Sequence, residues 1–229
     1  MEEEKRLKEA VAQEYQDTSG GSEPIYDGVV NPELYVASAP RILWVLKEPY
    51  DNGESYGDSR DGGWSLTDDC MNKKTDETSR GRAFQPICYV NYGIWSGVHD
   101  WDEMPWLRNS DEIRSGLKKI AFINISKLPG LKYTPWNRIV EAYQRHRGII
   151  LDQIKTYAPN IIFACDPQAN LIREDWGIPF TQWTWFGSAA CVQISTEQRL
   201  VWVSHPSSRK KRADYVNDAI NAATAQLEK

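Results

Sequence analysis

Residues 41–51 read RILWVLKEPYD: an apolar run, Arg41–Lys47, that ends abruptly in a carboxylate, a proline and more polar residues. The run lacks clean alternation of apolar and polar positions, as a parallel strand covered on both faces requires. Three further runs share that character, Ile120–Ile125 (IAFINI), Asn160–Cys165 (NIIFAC) and Arg199–Ser204 (RLVWVS). Helical patterns lie between and around them. The clearest cover 137–157 and 212–228, and 4–17 predicts an N-terminal helix broken by the Thr18–Ser22 stretch TSGGS. Ala190–Ser195 (ACVQIS) and the fourth run flank a short Thr-Glu-Gln turn, the pattern of a hairpin. No internal repeat and no second core are evident. The expectation is one α/β domain over 1–229, a three-layer α/β/α sandwich around a short, mainly parallel four-stranded sheet. The N-terminal helix 4–17 and a polar insertion at about 51–80 complete that expectation.

Bulk properties narrow the function classes. The 229 residues carry 27 Lys+Arg against 32 Asp+Glu, a net charge of −5 that on its face argues against a nucleic-acid binder. That average hides its source. Residues 51–78 hold eight acids and three bases, which accounts for all of the −5. The four cysteines (Cys70, Cys88, Cys165, Cys191) are scattered without a C-x-x-C pair, so a zinc ribbon or a disulfide framework is disfavoured. No metal and no cofactor are expected. No apolar run approaches the ~20 residues of a membrane span, and the N-terminus MEEEKR lacks the features of a secretory or transit signal. The cytoplasm is therefore the expected compartment, and a monomer the expected state. Ten tryptophans are several-fold above ordinary usage. Trp44 and Trp202 fall in core strands, whereas Trp95, Trp101 and Trp106 either wall a pocket or pack an edge of the fold.

In open parallel sheets, functional groups collect beyond the C-terminal ends of strands. Those ends read Lys47-Glu48-Pro49-Tyr50-Asp51, Asn124-Ile125-Ser126-Lys127, Asp166-Pro167 and Ser204-His205-Pro206-Ser207-Ser208. A carboxylate, an amide and an imidazole thus leave one edge of the sheet together. Such a set suits hydrolysis at a planar, amide-bearing group: a base for water, a bidentate reader and a donor for developing negative charge.

These residues carry a family resemblance. Leu46–Asp51 (LKEPYD) resembles the first motif of the uracil-DNA glycosylase superfamily, G-Q-D-P-Y-H in one branch and G-E-A-P-G in another. Val203–Ser208 (VSHPSS) resembles its second, H-P-S-P-L-S or H-P-S. Gly81–Phe84 (GRAF) looks like the G-R-P-F segment whose ring stacks on the flipped base. Phe122–Lys127 (FINISK) is similar to the T-N-V-V-K strand end whose Asn reads the base edge. The four occur in family order from about 41 to 208. Departures are clear: Lys47 stands for Gln, Leu46 for Gly and Asp51 for the final His, the P-L-S continuation is missing, and no cysteine precedes the first motif.

The resemblance implies a monofunctional DNA glycosylase that extrudes a pyrimidine-type base and hydrolyses its N-glycosidic bond, with DNA as partner and a glycosylase-like fold. That reaction passes through an oxocarbenium-like sugar and an anionic leaving base, so negative charge belongs near the sugar and a donor at the base oxygen. Glu48 would place water and stabilise the cation, and neutral His205 would donate to the base O2. The amide of Asn124 offers an acceptor beside a donor, which matches N3–H and O4 of uracil or, rotated, N3 and the amine of cytosine. Phe84 would stack on the base, Tyr50 would crowd its C5 edge, and Lys47 and Asp51 would line the substrate pocket. Ser207, Ser208, Arg209, Lys210, Lys211 and Arg212 would meet DNA, the four cations binding phosphates.

Uracil is the simplest substrate. The 51–80 segment leaves room for a bulky modified cytosine, such as the glucosylated hydroxymethylcytosine that a phage-defence relative removes. The rival readings are a catalytically silent glycosylase-like module that binds damaged or single-stranded DNA, and a Ser/His hydrolase built on Ser126 or Ser207. A Lys47 amine nucleophile is a third, but strand alternation predicts that Lys47 faces away from Glu48. His99 and His146 are expected to be structural.

Overall fold

The computed structural model describes residues 2–16, 23–50, 62–72, 81–130 and 134–226. In chain order its main elements are α1 (Glu2–Gln16), β1 (Gly28–Val29), α2 (Pro32–Ala37), β2 (Ile42–Leu46), α3 (Leu66–Met71) and α4 (Phe84–Ser96). They continue with α5 (Asp111–Ser115), β3 (Ala121–Asn124), α6 (Trp136–Tyr157), β4 (Ile161–Cys165) and α7 (Gln168–Asp175). The chain closes with β5 (Thr184–Phe186), β6 (Ala189–Gln193), β7 (Arg199–Val203) and α8 (Arg212–Thr224).

The protein is α/β, and its sheet is larger than the four apolar runs predict. Seven strands lie in the order β1-β3-β2-β4-β7-β6-β5. The four predicted strands are its centre and run parallel, with Leu43 opposite Ala121, Ile42 opposite Ile161 and Ile161 opposite Arg199. Three antiparallel pairings extend it: β1 on β3 at one edge, β6 on β7 and β5 on β6 at the other. The sheet is therefore mixed and seven-stranded, not four-stranded and mainly parallel. The misses are physical: β1 is two residues and β5 three, too short to carry any periodic pattern. The predicted hairpin is present, with Gln193 opposite Arg199 across its turn.

Alternate residues of the central strands feed two separate cores. Ile42, Trp44 and Leu46, with Phe122, Phe163, Val201 and Val203, face α3, α4, α5 and α8. Leu43 and Val45, with Ile123, Ile162, Ala164 and Leu200, face α1, α2, α6 and α7. Trp44 stacks on Phe163 with centroids 4.3 Å apart and donates its indole N–H to Asn91 Oδ1 at 3.0 Å, so its one polar atom is paired inside the apolar layer. Along α6 the buried positions are Ile139, Tyr143, His146, Ile150, Gln153, Ile154 and Tyr157, a stripe at helical spacing that lies on the sheet. The second long helix, α8, ends at Thr224, short of its predicted boundary. The Arg199 guanidinium fills its C-terminal carbonyls, donating to Ala222 (3.1 Å), Ala223 (2.8 Å) and Ala225 (2.6 Å).

Part of the polar insertion belongs to the fold. Ser65 caps α3 by accepting from the Asp68 N–H at 3.2 Å, and Leu66 and Cys70 are buried in the core. Residues 51–61 and 73–80 of that segment lie outside the described residues. Among the described residues, no helix is long and apolar enough to cross a membrane.

Candidate active site

The parallel registers place four strand ends on one edge of the sheet. Leu46 is opposite Asn124, and Cys165 is opposite Val203, so Lys47-Glu48, Asn124, Asp166 and Ser204-His205 all emerge at the same end. Neighbouring strands lie ~4.8 Å apart, which puts β3 and β7 about 15 Å apart across β2 and β4.

Glu48 is half-buried and is held from two sides. The Thr134 hydroxyl, just ahead of α6, donates to its Oε1. Gly130 is bridged to Tyr50, its N–H donating to the Pro49 carbonyl at 2.8 Å, and a Cβ there would overlap the Glu48 side chain. Lys47 does not face away from Glu48 as alternation predicts. Its Nζ reaches the same Thr134 Oγ1 at 3.4 Å. Strand geometry ends at Leu46, so period-two alternation no longer governs residues 47 and 48. The Lys47 backbone is fixed by buried Gln168. With its Nε2 donating to the Cys165 (2.8 Å) and Asp166 (3.0 Å) carbonyls, its Oε1 accepts the Lys47 N–H at 3.2 Å.

Asn124 is 1% exposed, on the face of the sheet that carries Phe122 and Leu46. Its side-chain Nδ2 is buried without a hydrogen-bond partner among the described residues, a state that costs about 1–3 kcal/mol. Its backbone N–H donates to Asp27 Oδ2 at 2.6 Å, which belongs to a polar cluster that the sequence reading missed. Lys127, 0% exposed, donates to both Asp27 oxygens (2.8 and 2.9 Å) and to Gln153 Oε1 (2.9 Å). Gln153 returns a bond to Asp27 at 3.0 Å, and the Lys127 N–H donates to the Tyr15 hydroxyl at 3.0 Å. The cluster ties α1, the β1 approach and α6 to the end of β3. Phe84, first residue of α4, packs edge-on against Phe122 at 5.7 Å, two residues from Asn124 on the same face.

His205 is half-buried. Its Nδ1 accepts the Ser207 N–H at 3.2 Å and lies 2.7 Å from the Ser207 hydroxyl, so its proton resides on Nε2. Burial, with the Lys47 charge added, pushes its pKa down to about 4, so the ring is neutral at physiological pH.

The remaining predicted residues divide. Tyr50 is 54% exposed at the rim. Asp51 lies outside the described residues. Ser208 donates its N–H to the His205 carbonyl at 2.8 Å, closing the turn. The run Arg209–Arg212 is not a uniform cationic stripe. Arg209 and Lys210 are exposed, and Lys211 stands 3.7 Å from Asp214. Arg212 donates to the Pro206 and Arg82 carbonyls at 3.0 Å each and so joins the second motif to the Gly81–Phe84 segment.

Of the tryptophan cluster, Trp95 donates to the Pro40 carbonyl (3.0 Å) and Trp101 packs on Tyr89 (4.3 Å), which makes both edge packing. Trp106 is exposed. His146 is structural: it stacks on Tyr15 at 4.1 Å, and burial lowers its pKa. The four cysteines are buried thiols, with Cys70 and Cys165 pushed by burial up to about 12 and Cys191 to about 11.

Neither a protein-family model nor a curated protein matches the chain.

Proposed function

We propose that the protein is a DNA glycosylase that takes a damaged or modified pyrimidine into this site and hydrolyses its N-glycosidic bond, leaving an abasic site, on a glycosylase-like α/β/α scaffold. The observation that carries the reading is the buried Asn124 Nδ2, without a partner among the described residues, on the sheet face where Phe84 packs against Phe122 and at the edge where Glu48 and a neutral His205 emerge. A buried donor without an acceptor is a site for one, and the ring nitrogen or O4 of a pyrimidine supplies it. Glu48 takes the proton of the attacking water and faces the cationic sugar. The Nε2–H of His205 donates to the base O2 as negative charge develops there, and a neutral imidazole gives that bond without protonating the base. Phe84 supplies the stacking face, worth ~1–3 kcal/mol per base. Uracil and a bulky modified cytosine of phage DNA both satisfy the Asn124 pattern.

The test is a panel of duplexes bearing uracil, thymine mismatches, hydroxymethylcytosine and its glucosides, followed by alkaline cleavage of abasic sites. The wild type releases at least one base, and Glu48→Gln abolishes release while retaining DNA binding. Tight binding with no release from any duplex would replace the enzyme by a silent binding module.

A further inference from the structure

We propose that Lys47 captures the aldehyde of an abasic deoxyribose as an imine, with Thr134 and Glu48 as its proton relay. The inference depends on the glycosylase reading only for the source of the abasic sugar. Base hydrolysis uses Glu48, Asn124 and His205 and gives the Lys47 amine no bond to make, although it sits in the same site. Its Nζ donates to Thr134 Oγ1 at 3.4 Å, and the Thr134 hydroxyl donates to Glu48 Oε1. The two bonds point the same way. A proton can pass from the ammonium to Oγ1 as the hydroxyl proton passes to the carboxylate, leaving a neutral amine and a neutral acid. This is the arrangement of an activated nucleophile: nucleophile, hydroxyl and base in hydrogen-bond contact, with the base oriented by a third group. Here the orienting contacts are Gly130 packed on Glu48 and Gln168 on the Lys47 N–H.

The chemistry balances without a redox partner. Loss of the base leaves a hemiacetal that ring-opens to an aldehyde at C1′. The Nζ lone pair forms an N–C1′ bond while the carbonyl π electrons move to oxygen, which takes a proton from nitrogen. Protonated Glu48 then gives its proton to the departing hydroxyl. Water leaves and C=N forms, one water per aldehyde and amine joined. Addition of water reverses the capture, so the abasic product is held at the site rather than released exposed.

A duplex with a ready-made abasic site, prepared without this protein, is incubated with it in the presence of borohydride. Denaturing electrophoresis and mass spectrometry of the nuclease-digested adduct follow. The wild type should give a covalent complex with the reduced sugar on Lys47. Lys47→Arg should lose it, Thr134→Val should slow its formation severalfold, and Thr134→Ser should restore it. No adduct from the wild type, or an adduct mapped to another amine, overturns the proposal. Because the abasic site is supplied, trapping without base release from the duplex panel removes the glycosylase reading and keeps capture. Release without trapping does the reverse.

Discussion

At the residue scale the site is set by single hydrogen bonds. His205 is fixed as an Nε2–H donor by the Ser207 N–H on its Nδ1, and its low pKa follows from burial first and the Lys47 charge second. In the unfolded chain the ring titrates near 6.5, in the folded protein near 4. The unfolded state therefore binds more protons between those values. The stability that neutral His205 contributes is complete above about 6.5 and is lost as pH falls through about 4. An NMR titration of the three histidines should find the His205 midpoint near 4, and Lys47→Met should raise it while leaving it below 6.5. A wild-type midpoint at 6.5 would contradict the buried, charge-flanked ring. Gly130 makes a second prediction. A methyl group there overlaps Glu48, so Gly130→Ala should reduce base release on the order of 100-fold, as expected for a ~1 Å displacement, while thermal unfolding changes little. Unchanged release would mean that Glu48 is not held from that side.

At the scale of elements, the end of β3 is anchored by a buried ion pair rather than by apolar packing alone. Lys127 and Asp27 are both almost fully enclosed; Asp27 also accepts from Gln153 of α6 and the Asn124 N–H of β3, and Lys127 also donates to Gln153 and, through its backbone N–H, to Tyr15 of α1. Removing one partner leaves an uncompensated charge, so Lys127→Met should cost about 3–5 kcal/mol in denaturant unfolding. Adding Asp27→Asn to it should recover part of that loss, because the double variant buries no charge. If the single variant cost less than 1 kcal/mol, the pair would not be the anchor of this strand end. The same cluster accepts the Asn124 N–H, so Asn124 and the ion pair are one structural unit.

At the scale of the molecule, the net charge of −5 is a poor guide to partners, because eight acids lie together in 51–78 while three exposed cations stand beside the His205 turn, Arg209 and Lys210 and, next to Asp214, Lys211. Each phosphate contact contributes roughly 0.9 to the slope of log affinity against log salt. Replacing Arg209 and Lys210 with alanine should therefore weaken binding to all duplexes alike and flatten that slope by about 2, read by titrations at several salt concentrations. Loss of affinity with an unchanged slope would place the phosphate contacts elsewhere. Arg212 is not part of this prediction, since its guanidinium bonds two carbonyls and its replacement would loosen the Pro206 turn.

The central strands, the long helices and the strand ends that bear Glu48, Asn124 and His205 were legible in the sequence, because apolar periodicity and its interruption are local properties of the chain. Ile42–Leu46 needs two covered faces wherever it lies, and the residues after it must leave the sheet. What only the tertiary structure decided is which distant groups meet. Thr134 joins Glu48 from 86 residues away, Lys127 joins Asp27 across 100, and no spacing rule encodes either contact. Edge strands of two and three residues were equally invisible, since their pairing comes from a neighbour and not from their own pattern. The orientation of Lys47 failed for the same reason: alternation is a property of a strand, and packing against the loop before α6 took over where β2 stopped.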